Sequence, residues 1–185
     1  MSRRVTRAEA IAAVAAAASR RADGTAWVGI DGFGAAGKSS LADDIAAVVP
    51  RATVLRVDDF SGPAFAEWDW RRFSDQVVTP IAEGREARYD VWDWDRDAAI
   101  ESRTVSPGAV LIVEGVSATR AEVGVDWDLT IWVDASRETR LQRARDRDGE
   151  AALRRWLDEW MPSEEAYAAR ELPQDRVDII VSGEA

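Results

Sequence analysis

The sequence predicts an α/β fold in which helices cover both faces of a parallel sheet. Short apolar segments typical of buried strands alternate along the chain with longer segments whose apolar residues follow helical spacing. Strands that alternate with helices imply a parallel sheet, because each connection must cross back over the sheet. The length of 185 residues, with no internal repeat or interdomain linker, predicts a single domain over residues 1–185.

Five segments are predicted to form the strands. The first leads directly into a glycine-rich loop, and the second ends at two consecutive aspartates, Asp58 and Asp59. Pro107 and Gly108 turn the chain into the third strand. The predicted strands span residues 27–31, 53–57, 109–113, 129–133 and 176–181.

The helices are predicted from capping residues and apolar spacing. Thr6-Arg7-Ala8-Glu9 is a capping box that begins an alanine-rich helix within residues 1–22. Leu41, Ile45 and Val48 share one face of a second helix. Residues 85–104, which are rich in tryptophan and aspartate, are predicted to be irregular. The later helices are predicted over residues 39–49, over residues 70–82 with a bend at Pro80, from Ser136 onward, and over residues 150–160 with Pro162 ending the helix.

Composition excludes several classes of function. A formal charge of −10 argues against nucleic acid or an anionic membrane as the main partner. The chain contains neither cysteine nor histidine, which excludes disulfides, Cys/His zinc sites and a histidine general base. No apolar run approaches the roughly 18 residues of a membrane span, and the N-terminus lacks a signal-peptide core, so we expect a cytoplasmic protein.

The only lysine of the chain lies in a phosphate-binding pattern. Lys38 belongs to the run from Gly32 to Ser39, which fits Gly-x-x-x-x-Gly-Lys-Ser/Thr, whereas the other 23 basic side chains are arginines. In such a loop the backbone N–H groups surround phosphates, the lysine reaches the terminal ones and the serine hydroxyl binds Mg²⁺. The alternative is a glycine-rich turn with an incidental lysine. The predicted nucleotide-binding residues are Gly32, Gly34, Ala35, Ala36, Gly37, Lys38, Ser39 and Ser40.

Two aspartates and a glutamate at strand ends are candidates for acid–base and metal chemistry. Asp58 and Asp59 follow the second strand, at the edge of the sheet where ligands of open α/β sheets bind. Phosphoryl transfer needs a carboxylate to accept the proton of the nucleophile, and one of this pair could supply it. Glu114 follows the third strand and could hold Mg²⁺, directly or through water, opposite Ser39. The alternatives are a solvated turn or helix cap for the pair, and an ordinary strand-ending acid for Glu114.

An arginine-rich helix is the candidate for a mobile lid over residues 136–165. Arg140, Arg143 and Arg147 fall at positions i, i+3 and i+7 and therefore on one helical face. Arginine suits a lid that closes over a phosphoryl group, because its planar fork matches phosphate oxygens and keeps its charge. The alternative is a solvated face whose arginines pair with Glu138, Asp146 and Asp148.

Four tryptophans cluster in the middle third of the chain. They can be core residues, or they can be the aromatic walls of an acceptor pocket with Asp69, Tyr89 and Asp90 as polar anchors. The sequence leaves both interpretations open. The clustered residues are Trp68, Trp70, Trp92 and Trp94.

With these motifs in place, the chain resembles the uridine kinase group of P-loop kinases, near the nicotinamide riboside kinases and phosphoribulokinases. The resemblance covers nearly all of the chain after residue 25. Two departures concern the acceptor segment, where Trp94 stands in place of the histidine of that group and Val91 in place of its phenylalanine. The matching segments are Ile30-Asp31-Gly32, Asp58-Asp59-Phe60, Trp68-Asp69-Trp70, Tyr89-Asp90 with Arg96, Val113-Glu114-Gly115, Val133-Asp134 with the arginine-rich helix, and Val177-Asp178-Ile179-Ile180.

The resemblance implies a P-loop kinase sheet of five parallel strands in the order 2-3-1-4-5, with ATP and Mg²⁺ as cofactors. It assigns the catalytic base to Asp58 and phosphate contacts to the lid arginines. The expected reaction is phosphoryl transfer to a primary hydroxyl, with a nucleoside as the acceptor. Acceptor contacts are expected from Asp59, Asp69, Tyr89, Trp94 and Arg96.

Two rival interpretations remain open from the sequence. One keeps the chemistry but changes the acceptor to nicotinamide riboside, pantothenate or a sugar phosphate. The other is a nucleotide-binding module without phosphotransfer. A GTPase switch and a protein kinase are both disfavoured, because the former reads guanine with asparagine and the latter needs histidine and asparagine in its catalytic loop, and the chain has neither residue.

Overall fold

A six-stranded parallel sheet forms the centre of the protein, whose structure is a computed structural model that describes residues 2–21, 24–62, 68–93, 96 and 98–184. Its strands run in the order β1-β8-β7-β2-β6-β3, and every pair of neighbours is parallel. Two further strands form a separate hairpin. In the described part of the chain the strands are β1 (Arg3–Val5), β2 (Ala26–Gly32), β3 (Ala52–Arg56), β4 (Ala87–Asp93), β5 (Ala98–Val105), β6 (Val110–Glu114), β7 (Leu129–Asp134) and β8 (Ile179–Ser182).

The expected count of five strands is wrong by one. The five strands predicted from the sequence take the expected order, but β1 adds a sixth at the edge, where Arg3 pairs with Ile179 and Val5 with Val181. Two arginines in a three-residue strand hide any apolar pattern. The pairing partner lies at the other end of the chain, so the strand could not be predicted from local sequence.

Eight helices, in the described residues, pack around the sheet. The predicted capping box is present at the first helix, where Thr6 accepts from the Glu9 N–H and Glu9 accepts from the Thr6 N–H. Single π-helical turns, Ser74–Val78 and Trp156–Trp160, join two pairs of helices into longer rods. The helices are α1 (Arg7–Arg20), α2 (Lys38–Val48), α3 (Trp70–Phe73), α4 (Thr79–Ala82), α5 (Arg137–Asp148), α6 (Glu150–Arg155), α7 (Met161–Glu171) and α8 (Pro173–Arg176).

Pro162 does not end the helix that begins at Glu150, so this expectation is wrong. The rod continues through the π turn into α7, and Pro162 lies in the first turn of α7. Pro162 lies just after the π turn, where the regular i to i−4 ladder is already interrupted, so its missing N–H removes no regular helical bond there. The last strand is also shorter than predicted, since α8 occupies Pro173–Arg176 and β8 begins at Ile179.

The segment predicted to be irregular is an antiparallel hairpin. In β4 the side chains of Ala87, Tyr89 and Val91 are buried while their neighbours are less so, which is the period of a half-buried strand. Tyr89 pairs with Arg103, and Asp90 with Ser102. Abundant tryptophan and aspartate obscure this period in the sequence.

The two faces of the sheet carry different cores. Ile112 of β6 faces an aliphatic cluster beneath α1 and α2 that includes Ile30 and Leu41. Leu111 and Val113 face the opposite way, into an aromatic cluster. The aromatic cluster lies between the sheet, α3 and the hairpin, and its largest members are Phe60, Trp68, Phe73 and Tyr89.

Candidate functional site

The glycine-rich loop between β2 and α2 has the backbone shape of a phosphate-binding loop. Gly32 has φ +146°, and a Cβ there would lie 2.5 Å from the Val133 carbonyl oxygen. Gly37 has φ +103° and begins α2 as its N-cap. Both motif glycines are thus required by backbone geometry. The side chain of Lys38 folds back over the loop, where its Nζ donates to the Phe33 carbonyl oxygen at 2.8 Å.

Free N–H groups at the start of α2 fit a bound anion. None of the hydrogen bonds among the described residues uses the N–H groups of Gly37, Lys38 or Ser39. These donors lie at the positive end of the helix dipole, which favours phosphate. The Ser39 side chain is exposed. The Ser40 hydroxyl instead accepts from Arg7 of α1 at 2.8 Å.

Asp58 and Asp59 lie side by side on a 3₁₀ turn (Val57–Phe60) but in different environments. Asp58 is exposed, and the described residues offer its carboxylate no hydrogen bond or ion pair. Asp59 is buried, and its Oδ2 accepts from Arg103 of the hairpin at 3.2 Å. Burial raises the pKa of Asp59, against the opposing effect of the Arg103 guanidinium. Of the two carboxylates, Asp58 is therefore the more accessible.

Glu114 ends β6 next to the phosphate loop. In the sheet it is paired with Ile30 of β2 and Arg56 of β3. It is buried, and its Oε1 accepts from Arg56 at 2.6 Å. Arg56 also reaches Asp43 of α2 at 2.8 Å. No group of three or more acidic side chains with the spacing of a metal site occurs among the described residues, so a cation here would depend on Ser39, Glu114, water and ligand oxygens.

The three predicted lid arginines differ in what they contact. Arg140 is buried, with its guanidinium 4.4 Å from the Phe33 ring centroid. The Nη1 of Arg143 lies 3.4 Å from the carbonyl oxygens of both Ala35 and Ala36 in the phosphate loop. Arg147 is exposed and paired with Asp148. The bond to Asp148 raises the pKa of Arg147, and the charge of Asp58 adds to this effect. The face of α5 that carries Arg143 and Arg147 thus extends from the phosphate loop towards Asp58, the candidate base.

Of the predicted acceptor residues, Tyr89 belongs to the aromatic cluster and Asp69 lies at the start of α3 beside it. Tyr89 stacks on Phe60 with ring centroids 5.0 Å apart, and burial followed by the charge of Asp59 raises its pKa. Asp69 caps α3 by accepting from the Arg72 N–H at 3.0 Å. Arg96 is exposed and its N–H donates to Asp93. Trp94 lies outside the described residues.

Of the remaining tryptophans, Trp68 is buried and packs on Phe73 at 5.6 Å. Its Nε1 donates to the Ser117 hydroxyl at 3.0 Å. Trp70 and Trp92 are each half-buried. Trp68 thus belongs to the aromatic core, whereas Trp70 and Trp92 remain partly accessible to solvent.

Sequence reasoning missed a buried carboxylate at the base of the loop. Asp31 is fully buried and accepts hydrogen bonds from the Gly32 and Ser117 N–H groups, from Thr119 and from the Tyr167 hydroxyl, which lies at 2.7 Å. Burial, followed by this carboxylate, raises the pKa of Tyr167. Asp31 thus joins the phosphate loop to Ser117 and Thr119, which follow β6, and to Tyr167 of α7. An aspartate inside an otherwise apolar strand was the available signal.

Similar structures are known for proteins described as kinases. The chain is similar to a possible uridine kinase from Bacillus stearothermophilus, with 18% identity over 94% of this chain and 99% of that one, and a TM-score of 0.69. It is similar also to a candidate fructose transport system kinase from Silicibacter, with 22% identity, coverage of 95% and 98%, and a TM-score of 0.76. No protein-family model matches the sequence, and no curated protein does so. At these identities the likeness shows the fold, which is that of uridine kinase-like P-loop kinases.

In the part of the chain that the structure describes, no helix is both long and apolar enough to cross a bilayer.

Proposed function

We propose that the protein is an ATP- and Mg²⁺-dependent kinase that phosphorylates a primary hydroxyl of a small molecule, with a nucleoside as the first acceptor class. The contact of Arg143 with the loop carbonyls of Ala35 and Ala36 carries the proposal. A guanidinium held against a phosphate loop lies where negative charge develops during phosphoryl transfer. Neither nucleic acid nor a membrane is needed as a partner.

The nucleotide side would use mainly backbone groups. Lys38 and the free N–H groups of the loop would bind the β- and γ-phosphates. Ser39 and the unpaired oxygen of Glu114 would hold Mg²⁺, which neutralises phosphate charge when it is bound. This donor set fits Mg²⁺, which keeps several waters and takes few protein ligands beside phosphate oxygens.

The base and the arginines would act on the transferring group. Asp58 accepts the proton of the acceptor hydroxyl while that oxygen forms its bond to the γ-phosphorus and the bond to the leaving ADP oxygen breaks. Arg143 and Arg147 neutralise the charge on the phosphoryl oxygens. Arg140 is buried away from solvent and supports the lid from beneath.

A sugar or another small alcohol is the second candidate acceptor. The structural neighbour described as a fructose transport system kinase favours it, as does Trp94, which replaces a base-reading histidine with a larger ring that has a donor and no acceptor. In either case the proposed contacts are Asp59, Asp69, Tyr89, Trp94 and Arg96.

ADP release with a panel of alcohols tests the proposal. The panel contains uridine, cytidine, adenosine, nicotinamide riboside, pantothenate and fructose, each with ATP and Mg²⁺, and a reaction without acceptor gives the background. Acceptor-dependent ADP release is expected. Tight nucleotide binding without ADP release on any alcohol would instead identify a nucleotide-binding module.

A further inference from the structure

A buried glutamate outside the loop contacts the loop directly. Glu164 of α7 is 8% exposed, and its Oε2 accepts a hydrogen bond from the Gly34 N–H at 3.0 Å. Burying a carboxylate is costly unless charged or polar partners satisfy it. Within the described residues Glu164 meets this condition with one loop amide and one arginine, Arg140.

The close approach of Glu164 explains a glycine that the phosphate-binding pattern does not require. Position 34 is a free position of that pattern, and Gly34 is not in a left-handed conformation. A Cβ on Gly34 would lie 2.5 Å from Glu164 Oε1 and 2.6 Å from the ring of Trp156. Contact with the segment from Trp156 to Glu164, rather than backbone conformation, therefore excludes a side chain at position 34.

Glu164 also holds the lid helix. Arg140 Nη1 lies 3.4 Å from Glu164 Oε2, and the side chains of the pair are 4% and 9% exposed. The oxygen that accepts from Gly34 is thus the same one that Arg140 approaches. A shift of the guanidinium would therefore act on the loop peptide through a single atom.

We propose that Glu164 is a positioning residue that fixes the Gly34 peptide and Arg140 relative to each other, so that the phosphate loop and α5 keep one relative position. Glu164 contacts no reacting atom, so it would affect catalysis only through Gly34 and Arg140. That effect rests on the proposed kinase function. Loop placement matters for rate, since a misplacement of about 1 Å can cost roughly 10²-fold.

Amide hydrogen exchange tests the contact without any need for turnover. Glu164→Ala removes the acceptor, so we expect exchange at the Gly34 N–H to be faster by about tenfold or more, the size expected for loss of a charge-assisted hydrogen bond. Glu165→Ala is the matched control, because Glu165 is the next residue of α7 and is exposed. Equal Gly34 exchange in both variants would overturn the proposal.

Steady-state kinetics tests the consequence. Glu164→Gln keeps an acceptor for Gly34 but removes the charge that pairs with Arg140, and we expect kcat to fall roughly 10- to 100-fold with little change in the acceptor KM. Glu165→Gln should leave both unchanged. If the wild-type protein turns over an alcohol and Glu164→Gln matches it in kcat, the positioning role fails and the kinase proposal stands. If the wild type turns over nothing, the kinase proposal fails and the exchange experiment alone decides the positioning role.

Discussion

The two parts of the proposed site, its nucleotide side (β2, the phosphate loop and α2) and its acceptor side (the 3₁₀ turn, α3 and the hairpin), are held together by different kinds of contact. On the nucleotide side, β2, the loop and α2 rest on an aliphatic cluster, and the loop shape depends on the backbone of Gly32 and Gly37. On the acceptor side, the 3₁₀ turn, α3 and the hairpin are joined by side chains. Among these contacts are the ion pair of Asp59 with Arg103 and the stacking of Phe60 on Tyr89.

This difference determines what a substitution can change on each side. A loop that binds phosphate through backbone N–H groups keeps that capacity when most surrounding side chains change. A pocket lined by aromatic and charged side chains changes its preference with every substitution. Under the proposed function, the nucleotide side would set the reaction type, and the acceptor would be set by a hairpin whose second strand, β5, is largely exposed.

The largest expected effect is at the nucleotide side. Lys38→Ala removes the only side chain of the loop that carries a charge, and we expect ADP release to fall to background while the fold survives. Parallel circular dichroism and thermal melts check that the variant is folded. Unchanged ADP release in a folded Lys38→Ala protein would mean that the loop does not bind the reacting phosphates.

The lid arginines provide the next test. Arginines that contact a transferring phosphoryl group are worth about 10³–10⁵ in rate, whereas an exposed ion pair contributes about 0.2–1 kcal/mol of stability. We expect Arg143→Ala to lower kcat by roughly 10³-fold. Arg145→Ala is the control, because Arg145 is exposed on the same helix and pairs with Glu150. Similar kcat values for the two variants would favour a solvated helix face.

The two neighbouring aspartates should separate chemistry from acceptor binding. Asp58→Asn keeps the shape of the side chain and removes the proton acceptor, so we expect kcat to fall roughly 10²-fold or more with nucleotide affinity little changed. Asp59→Asn breaks the ion pair with Arg103 and should mainly raise the acceptor KM. A larger kcat loss in Asp59→Asn would move the base by one residue. Equal kcat in both variants and wild type would remove the base from this turn.

The nucleotide side was predictable from sequence because its determinants are local. The loop pattern, the apolar strand before it and the helix after it follow one another within about twenty residues, the length of one βα unit. The strand ends that carry the two aspartates and Glu114 could also be predicted, because parallel strands end at the same edge of a sheet. The partners of Asp59 and Glu114 could not, since Arg103 and Arg56 reach them from elsewhere in the fold.

The acceptor side and the lid contacts were less predictable because they depend on tertiary pairing. The hairpin is held by register between Tyr89 and Arg103, which no single-strand pattern reveals. The β1 strand needs a partner at the other end of the chain. Glu164 lies beyond Pro162, where the helix was predicted to end, and only the packing of α7 on Gly34 shows that it is buried.

A smaller effect is expected in acceptor choice. Trp94 offers an indole donor and no acceptor, so a base that needs both is read poorly, while an aromatic wall favours stacking on any ring. We expect uridine to be preferred over the other acceptors by less than about 10²-fold, the discrimination that one well-formed contact can supply. The measurement is kcat/KM for each member of the panel. A stronger preference for uridine would show that the acceptor side reads the base through other residues.

Two buried carboxylates that face arginines, Asp59 on the acceptor side and Glu164 on the nucleotide side, allow a direct comparison. Burial is the largest influence on both, and it raises the pKa of Asp59 and of Glu164 above the usual value. At Asp59 the charges of Arg103 and Arg56 oppose this effect, while Asp58 and Glu101 add to it. At Glu164 the Gly34 N–H, Lys38 and Arg140 oppose it, and Glu165 adds to it.

The smallest expected effect is a pH-dependent change in stability at these two carboxylates. A carboxyl group whose pKa is higher in the folded chain holds its proton longer there than in the unfolded chain. Its contribution to stability therefore falls as pH rises from the unfolded pKa through the folded one. Asp59→Asn and Glu164→Gln lack this titration, so wild type should lose stability relative to both variants as pH rises from about 4, near the unfolded carboxyl pKa, towards neutral. Urea unfolding measures the difference, with Glu159→Gln, an exposed acid of the same helical rod, correcting for the loss of one charge.

A stability gain at neutral pH in Glu164→Gln, together with a lower kcat, would mean that the carboxylate is held for function at a cost to the fold. A loss of stability in Glu164→Gln at every pH would instead mean that its role is structural, as expected for a buried ion pair that loses one partner.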